Sequence, residues 1–212
     1  AVQALVAAVA VGDVETQVIE AIESGYPAVK LKVAATNTDS DIERIRVAAA
    51  VTHGRTLLRL DANGGWSSKE ALDVLSAVSG DDIELVEEPT PDLTDWRKIV
   101  TDTGVEVGAD EHLNSPLETE RILDLGAAQT FVLKPSVLGG PKSTRRLASL
   151  AKEHNVRVLI SSFLDGPIAL RAARDLALEV APHEIHGLGT AALFVEEFPE
   201  DVRPISGRIS RP

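Results

Sequence analysis

LLRLDANGGW, residues 57–66, is a short apolar run that stops at a carboxylate, Asp61, and breaks at once into a glycine-containing turn. Comparable runs flank it: KLK at 30–32, IELVEEP at 83–89, VEVGADE at 105–111 and FVLKPS at 131–136. Each closes on a side chain that can carry charge, so Lys32, Asp61, Glu87, Asp110 and Lys134 succeed one another at intervals of 29, 26, 23 and 24 residues. That interval fits one strand plus one helix, and in a parallel barrel it brings all five groups to one mouth.

The segments between these runs carry helical periodicity. Val14, Val18, Ile19 and Ile22 form one apolar face, closed by Gly25 before a strand over 28–32. Residues 39–51 place Ile42, Ile45 and Ala49 on one side and lead to a strand over 56–61. Ser67 and Ser68 offer an N-cap for a helix through Leu72, Leu75 and Val78, followed by a strand over 83–87. Trp96 and Ile99 mark a fourth helix, and Leu117, Ile122 and Leu125 a fifth, with a strand over 105–109 between them. After a strand over 130–133 comes a sixth helix over 143–154, a strand over 156–160, and a seventh helix over about 166–180 through Ile168, Ala172, Leu176 and Val180. A brief run, 184–188, and a proline-rich tail complete the chain.

With AVQALVAAVAV at 1–11 read as a buried first strand, the count is eight strands and seven helices, an α/β chain of (β/α)7β order. An open doubly wound sheet alternates in the same way. The polar residues decide for a TIM-like barrel, because they sit at successive strand ends and not at one switch crevice. The 212 residues fit a single domain, 1–212, in which 190–212 is the tail of the barrel.

A formal net charge of −12 with no basic block argues against nucleic acid or an anionic membrane as partner. The apolar opening is too short to span a bilayer, which takes about 20 residues. It also lacks the preceding positive charge of a signal peptide, the first basic residue being Lys30. The expected location is cytoplasmic. Cysteine is absent, which removes disulfides and thiolate chemistry.

Asp61, Glu87 and Asp110 supply hard oxygen donors without sulfur or imidazole, a set that suits Mg²⁺, with Mn²⁺ as a substitute. Singly, each would be read as a helix cap or a surface ion pair; jointly, at corresponding strand ends, they read as a metal site. Lys32 and Lys134 end strands nearly opposite one another around an eight-stranded ring, where two amines could address both faces of one carbon. Lys30 shares a strand face with Lys32 and is placed to influence its proton affinity. The alternative is that Lys30 and Lys32 merely pair with carboxylates inside the barrel.

The ordered set KxK, DAN, EEP, ADE and KP, followed by ISS at 160–162 and HGLGT at 186–190, resembles the enolase superfamily and, within it, the muconate-lactonizing subgroup. VLKPSVLGG, LISSF and HGLGT are most similar to the o-succinylbenzoate synthases of that group. The resemblance covers nearly the whole chain. It implies Mg²⁺-assisted removal of a proton α to a carboxylate through a metal-stabilised enediolate, followed by dehydration of a cyclohexadiene carboxylate in menaquinone biosynthesis. It implies Lys32 as general acid/base, Lys30 as its tuning partner, Lys134 as the cation on the opposite face, and Asp61, Glu87 and Asp110 as metal ligands. Asn63, Ser161, Ser162 and Gly187 would line the pocket of a small-molecule carboxylate. N-succinylamino acid racemase and dipeptide epimerase activities belong to the same chemistry.

Members of that family carry an N-terminal capping domain over the barrel mouth, and this sequence starts at the first barrel strand. A barrel alone, as fragment or scaffold, is expected to turn over poorly, because water stays in an open site. His112, after the ADE motif, is expected at the surface or narrowing the pocket. GLGTAA at 187–192 matches a dinucleotide fingerprint, but too few residues follow for a βαβ unit.

Overall fold

The computed structural model describes residues 1–195 and 197–209. Seven strands lie in sequential order and all run parallel: β1 (Ala4–Val6), β2 (Ala28–Lys32), β3 (Leu57–Asp61), β4 (Ile83–Glu87), β5 (Glu106–Ala109), β6 (Thr130–Leu133) and β7 (Arg157–Ile160). A helix follows each: α1 (Val11–Glu23), α2 (Thr38–Thr52), α3 (Ser68–Ala77), α4 (Leu93–Thr103), α5 (Pro116–Leu125), α6 (Pro141–Glu153) and α7 (Pro167–Val180). This is the curled βα ring that the strand-end spacing implies. The expected cap at Ser67 is present as a reciprocal capping box with Glu70.

The expected eighth strand is not a regular one. Its centre makes two single-residue parallel bridges, His186 to Val2 and Gly187 to Ser161. On one side Gln3 N–H donates to His186 O at 2.9 Å, and on the other Gly187 N–H donates to Ile160 O at 2.9 Å. Residues 186–187 are therefore the seam that joins β7 to the chain before β1. The seam is short because Pro182 precedes it and a 3₁₀ turn over Gly189–Leu193 follows directly. Gly187 is required there: a Cβ would lie 2.5 Å from Ser161 Oγ.

Strand faces divide sharply. Val29, Leu31, Leu58, Leu60, Val86, Phe131 and Leu133 join Val14, Ala48, Leu75, Trp96, Ile99 and Ile122 of the helices in one buried apolar cluster. The alternate positions point into the ring and are largely polar, including Lys30, Arg59, Asp61 and Glu87, all buried. A register shift between Leu58 and Arg59 brings Glu84 to Arg59. Arg59 Nε lies 2.5 Å and Arg157 Nη1 2.6 Å from that carboxylate, while Arg59 Nη1 donates to Gln3 Oε1 at 2.7 Å. These groups fill the end of the ring remote from the strand C-termini.

Three expectations need correction. The opening segment is a strand only over Ala4–Val6, and Val9 is exposed where it turns toward α1. Leu117 and Ile168 are 65% and 83% exposed, not buried. The inward stripe of α7 runs through Leu170, Ala173, Leu176 and Ala177, and two residues of helix rotate Ile168 about 200° away from Leu170. Leu117 lies two positions before the buried Thr119 of α5 and is turned out for the same reason. The tail packs through a small cluster of its own, in which Ala191, Phe198 and Val202 bury Leu170.

Candidate active site

Register sets the geometry at the strand C-termini. Lys32 pairs with Asp61 across β2 and β3, and Asp61 with Glu87 across β3 and β4, so three predicted groups share one level. Glu87 pairs next with Gly108, whose missing side chain leaves room: a Cβ there would lie 3.4 Å from Glu87 Cγ. Asp110 follows two residues beyond Gly108 and Lys134 directly follows β6.

Lys30 Nζ is 2.8 Å from both Asp61 Oδ2 and Glu87 Oε2. Lys32 Nζ donates to Asp61 Oδ2 and to Asn63 Oδ1, each at 2.6 Å. Lys134 Nζ lies 2.5 Å from Asp110 Oδ2. The pairing of Lys30 and Lys32 with carboxylates inside the ring, set out above as the alternative, is thus observed, and it occurs within the predicted cluster. Among the described residues, no three acidic or imidazole side chains are disposed as a ready metal-binding group, since ammonium groups stand between the carboxylates. One atom is left over: Glu87 Oε1 is buried without a hydrogen-bond partner. A hard, buried, unpaired carboxylate oxygen beside two further carboxylates is chemically suited to a hard dication.

Electrostatics follow from burial and proximity. Burial works to lower the Lys30 pKa, but Glu87, Asp61 and Asp110 outweigh it and hold the amine above the ordinary lysine range. Burial likewise opposes the charge of Lys134, and Asp110 beside it wins. Burial tends to raise Asp61, yet Lys30 and Lys32 hold it down at about 2. For Asp110 burial prevails over Lys134, with Glu87 and Glu111 adding to it, and the carboxyl is pushed up to about 7. Glu87 is raised by burial against the pull of Lys30.

Above this floor is a cavity of about 220 Å³. Lys30, Lys32, Asp61, Asn63, Lys134, Ser161, Ser162 and Gly187 all line it, while Glu87 and Asp110 lie beneath, 0% and 3% exposed. Gln3, Leu5, Glu111, Phe163, Leu164, Gly189, Thr190 and Leu193 complete the wall. Ser162 Oγ and Thr190 Oγ1 are 2.8 Å apart. Asn63 Nδ2 donates to Glu111 Oε1 at 3.0 Å, so Asn63 links Lys32 to the loop carrying Asp110.

Several supporting residues escaped sequence reasoning. Asp41 accepts from Ala34 N–H, Trp66 Nε1 and Arg44, and Arg44 in turn holds the carbonyls of Ala8 and Lys32. Both are fully buried on α2 and brace the end of β2. His112 is neither a free surface group nor part of the cavity wall: its Nδ1 lies 2.5 Å from Glu88 Oε2 and its ring stands edge-on to Trp96 at 5.3 Å. The hydrogen bond to Glu88 lifts its pKa above the usual value. Polar side chains buried at helical positions carry no hydropathy signal. Glu88 was legible from its place next to Glu87, as a group that could orient the ligands or pair with the lysines, and His112 only from its place after the ADE motif.

A parallel βα ring that gathers three carboxylates and three lysines at its strand C-termini has the layout of barrel enzymes, which keep their functional groups at that end. Residues 13–212 match the family described as Enolase C-terminal domain-like, and the chain belongs to that family, within the enolase superfamily. It is 32% identical over 174 residues to the o-succinylbenzoate synthase of Mycobacterium ulcerans, covering 81% of this chain and 51% of the synthase. It is 29% identical over 163 residues to the L-Ala-D/L-Glu epimerase of Clostridium acetobutylicum, covering 75% of this chain and 45% of the epimerase. The crystal structure of a dipeptide epimerase from Cytophaga hutchinsonii, complexed with Mg and the dipeptide D-Ala-L-Val, superposes with a TM-score of 0.86 at 25% identity, over 92% of this chain and 54% of that one. The chain spans about half the length of the curated relatives it matches. Among the described residues no helix is long and apolar enough to cross a membrane.

Proposed function

We propose that residues 1–212 form the barrel domain of a Mg²⁺-dependent lyase of the o-succinylbenzoate synthase type, acting in the cytoplasm in menaquinone biosynthesis. The observation that carries this reading is that Lys32 and Lys134 line one cavity whose floor is formed by Asp61, Glu87 and Asp110. The likeness to the Mycobacterium ulcerans synthase supports this choice of reaction within the family.

Asp61, Glu87 and Asp110 would hold Mg²⁺, or Mn²⁺ in its place, in competition with Lys30 and Lys134 for the same oxygens. The bound ion supplies Lewis-acid polarisation of the substrate carboxylate. Lys32 is the most exposed of the three amines, at 31% of its side chain, and acts as the base for the α-proton. The same amine, now protonated, then donates to the departing hydroxyl, so that water leaves and the ring becomes aromatic. Lys134 stays an ammonium group under the hold of Asp110 and stabilises the charge that develops on the substrate. Lys30 remains a fixed cation below. Asn63, Ser161, Ser162 and Gly187 position the substrate, and Phe163, Leu164 and Leu193 offer an apolar wall to its ring.

The test is direct: purified protein, Mg²⁺ and the cyclohexadiene substrate should yield the aromatic product by ultraviolet absorbance. Because Phe163, Leu164 and Leu193 stand more than half exposed at the mouth, turnover by this chain alone is expected to be low. A folded protein that makes no product even when supplied with a covering domain in trans sinks the reading.

Racemisation of N-succinylamino acids, or epimerisation of dipeptides, is the second reading, favoured by the presence of both Lys32 and Lys134 on the same cavity. Deuterium incorporation at the α-carbon of these substrates in D₂O would reveal it, and its absence removes it.

A further inference from the structure

Glu88, the second acid of the EEP motif, has no part in the chemistry above, yet it is tightly constrained. It is 1% exposed and adopts φ +44°, a region that residues with a side chain enter only when their surroundings hold them there. All its polar atoms are engaged. Its N–H donates to Gly108 O at 2.9 Å and its carbonyl accepts from Gly64 N–H at 2.7 Å. Oε1 accepts from the N–H groups of Asp110 at 2.7 Å and His112 at 3.2 Å. Oε2 lies 2.5 Å from His112 Nδ1. A carboxylate only accepts, so His112 is the donor.

These bonds tie the residue that follows β4 to the loop after β3 that carries Asn63, to β5 at Gly108, and to the turn after β5 that carries Asp110. His112 is itself placed by its ring contact with Trp96, whose Nε1 donates to Thr90 O at 3.1 Å. Simple burial would be served as well by an apolar side chain. A carboxylate with two backbone N–H groups on one oxygen and a histidine on the other instead fixes the direction in which the β5 turn leaves the sheet.

We propose that Glu88, clamped by His112, is a positioning residue that holds the Asp110 backbone against β4 so that the Asp110 and Glu87 carboxylates present themselves to one divalent cation. This rests on the metal-site reading given above. The residue touches neither cation nor substrate, and its effect is felt through Asp110.

Wild type, His112→Asn, His112→Leu and Glu88→Gln are to be compared by circular dichroism, by amide hydrogen exchange at residues 110 and 112 without metal, and by calorimetric titration with MgCl₂. His112→Asn keeps a donor for Glu88 and should preserve both the protection of the Asp110 amide and Mg²⁺ affinity. His112→Leu and Glu88→Gln should speed exchange at Asp110 and weaken Mg²⁺ binding by about 10- to 100-fold. Unchanged exchange at Asp110 in a folded His112→Leu or Glu88→Gln protein overturns the positioning role whether or not metal binds. Faster exchange with unchanged Mg²⁺ affinity overturns its link to the cation. Failure of the wild type to bind Mg²⁺ removes the metal-site reading and the cation half of the proposal with it, leaving exchange to decide the backbone half. If His112→Leu does not fold, the nearly isosteric Glu88→Gln carries the test.

Discussion

Lys30 and Glu87 form a buried ion pair, Nζ to Oε2 at 2.8 Å, at the centre of the barrel, and the same ammonium group is equally close to Asp61. Two carboxylates in so confined a space are tolerated because one cation serves both.

Lys30→Met therefore leaves Asp61 and Glu87 facing each other with that cation gone. Removing one partner of a buried pair costs about 3–5 kcal/mol. Urea unfolding at neutral pH in a chelator should show a loss of that order, and saturating Mg²⁺ should recover part of it. A variant as stable as wild type would mean the pair contributes nothing net.

Metal affinity should depend on each carboxylate of the floor. Asp61→Asn, Glu87→Gln and Asp110→Asn are each expected to weaken Mg²⁺ binding by at least about tenfold in calorimetry. In the wild type, Mg²⁺ at about 100 times its Kd should add about 2.7 kcal/mol to the unfolding free energy. A melting temperature indifferent to Mg²⁺ at any concentration would argue against the site.

Lys32→Ala should keep the fold, since the side chain is partly exposed and Arg44 braces the backbone at that point. Loss of a general acid/base is expected to lower kcat by about 10²- to 10⁴-fold. Turnover of the cyclohexadiene substrate by this variant at the wild-type rate would assign the base elsewhere.

Acid should act on the seam of the ring. His186 Nδ1 accepts from Ile160 N–H and its Nε2–H donates to Ala181 O, both at 3.0 Å, so the fold requires the neutral ring. Burial lowers its pKa from 6.5 to about 4. Between these values the unfolded chain takes up a proton that the folded one refuses. Stability from this residue is therefore complete above pH 6.5 and is lost as pH falls through 4, by about 3 kcal/mol in all. Urea unfolding followed from neutral pH to pH 4 should show this slope in the wild type and a shallower one in His186→Gln; equal slopes would place the acid sensitivity in other groups.

Arg44→Met should destabilise the protein by about 3–5 kcal/mol, because it strands the buried Asp41 carboxylate. The double variant Arg44→Met, Asp41→Leu should regain part of the loss. Additive effects of the two changes in chemical denaturation would contradict a coupled pair.

The strand-end residues were legible in the sequence because a parallel barrel converts linear spacing into common location: Lys32, Asp61 and Glu87 share a level simply because β2, β3 and β4 are in register. The pocket-lining Asn63, Ser161, Ser162 and Gly187 came through the family resemblance and stand on the cavity. Hydropathy could not disclose Asp41, Arg44 or Glu88, whose burial depends on hydrogen bonds made across elements and not on local pattern. Nor could it foresee that Lys30 would bridge Asp61 and Glu87, because the direction of an ammonium group is settled by its partners. The eighth strand was overcounted for a related reason: 184–188 has strand-like composition, but its neighbours leave room for only two bridges.

Arg59, Glu84 and Arg157 stopper the lower end of the ring, which makes the molecule a cup and not a pipe. In the proposed reaction, solvent deuterons that exchange with Lys32 and Lys134 would come and go by the same doorway as the substrate. Closing that doorway would then slow isotope washout along with product release.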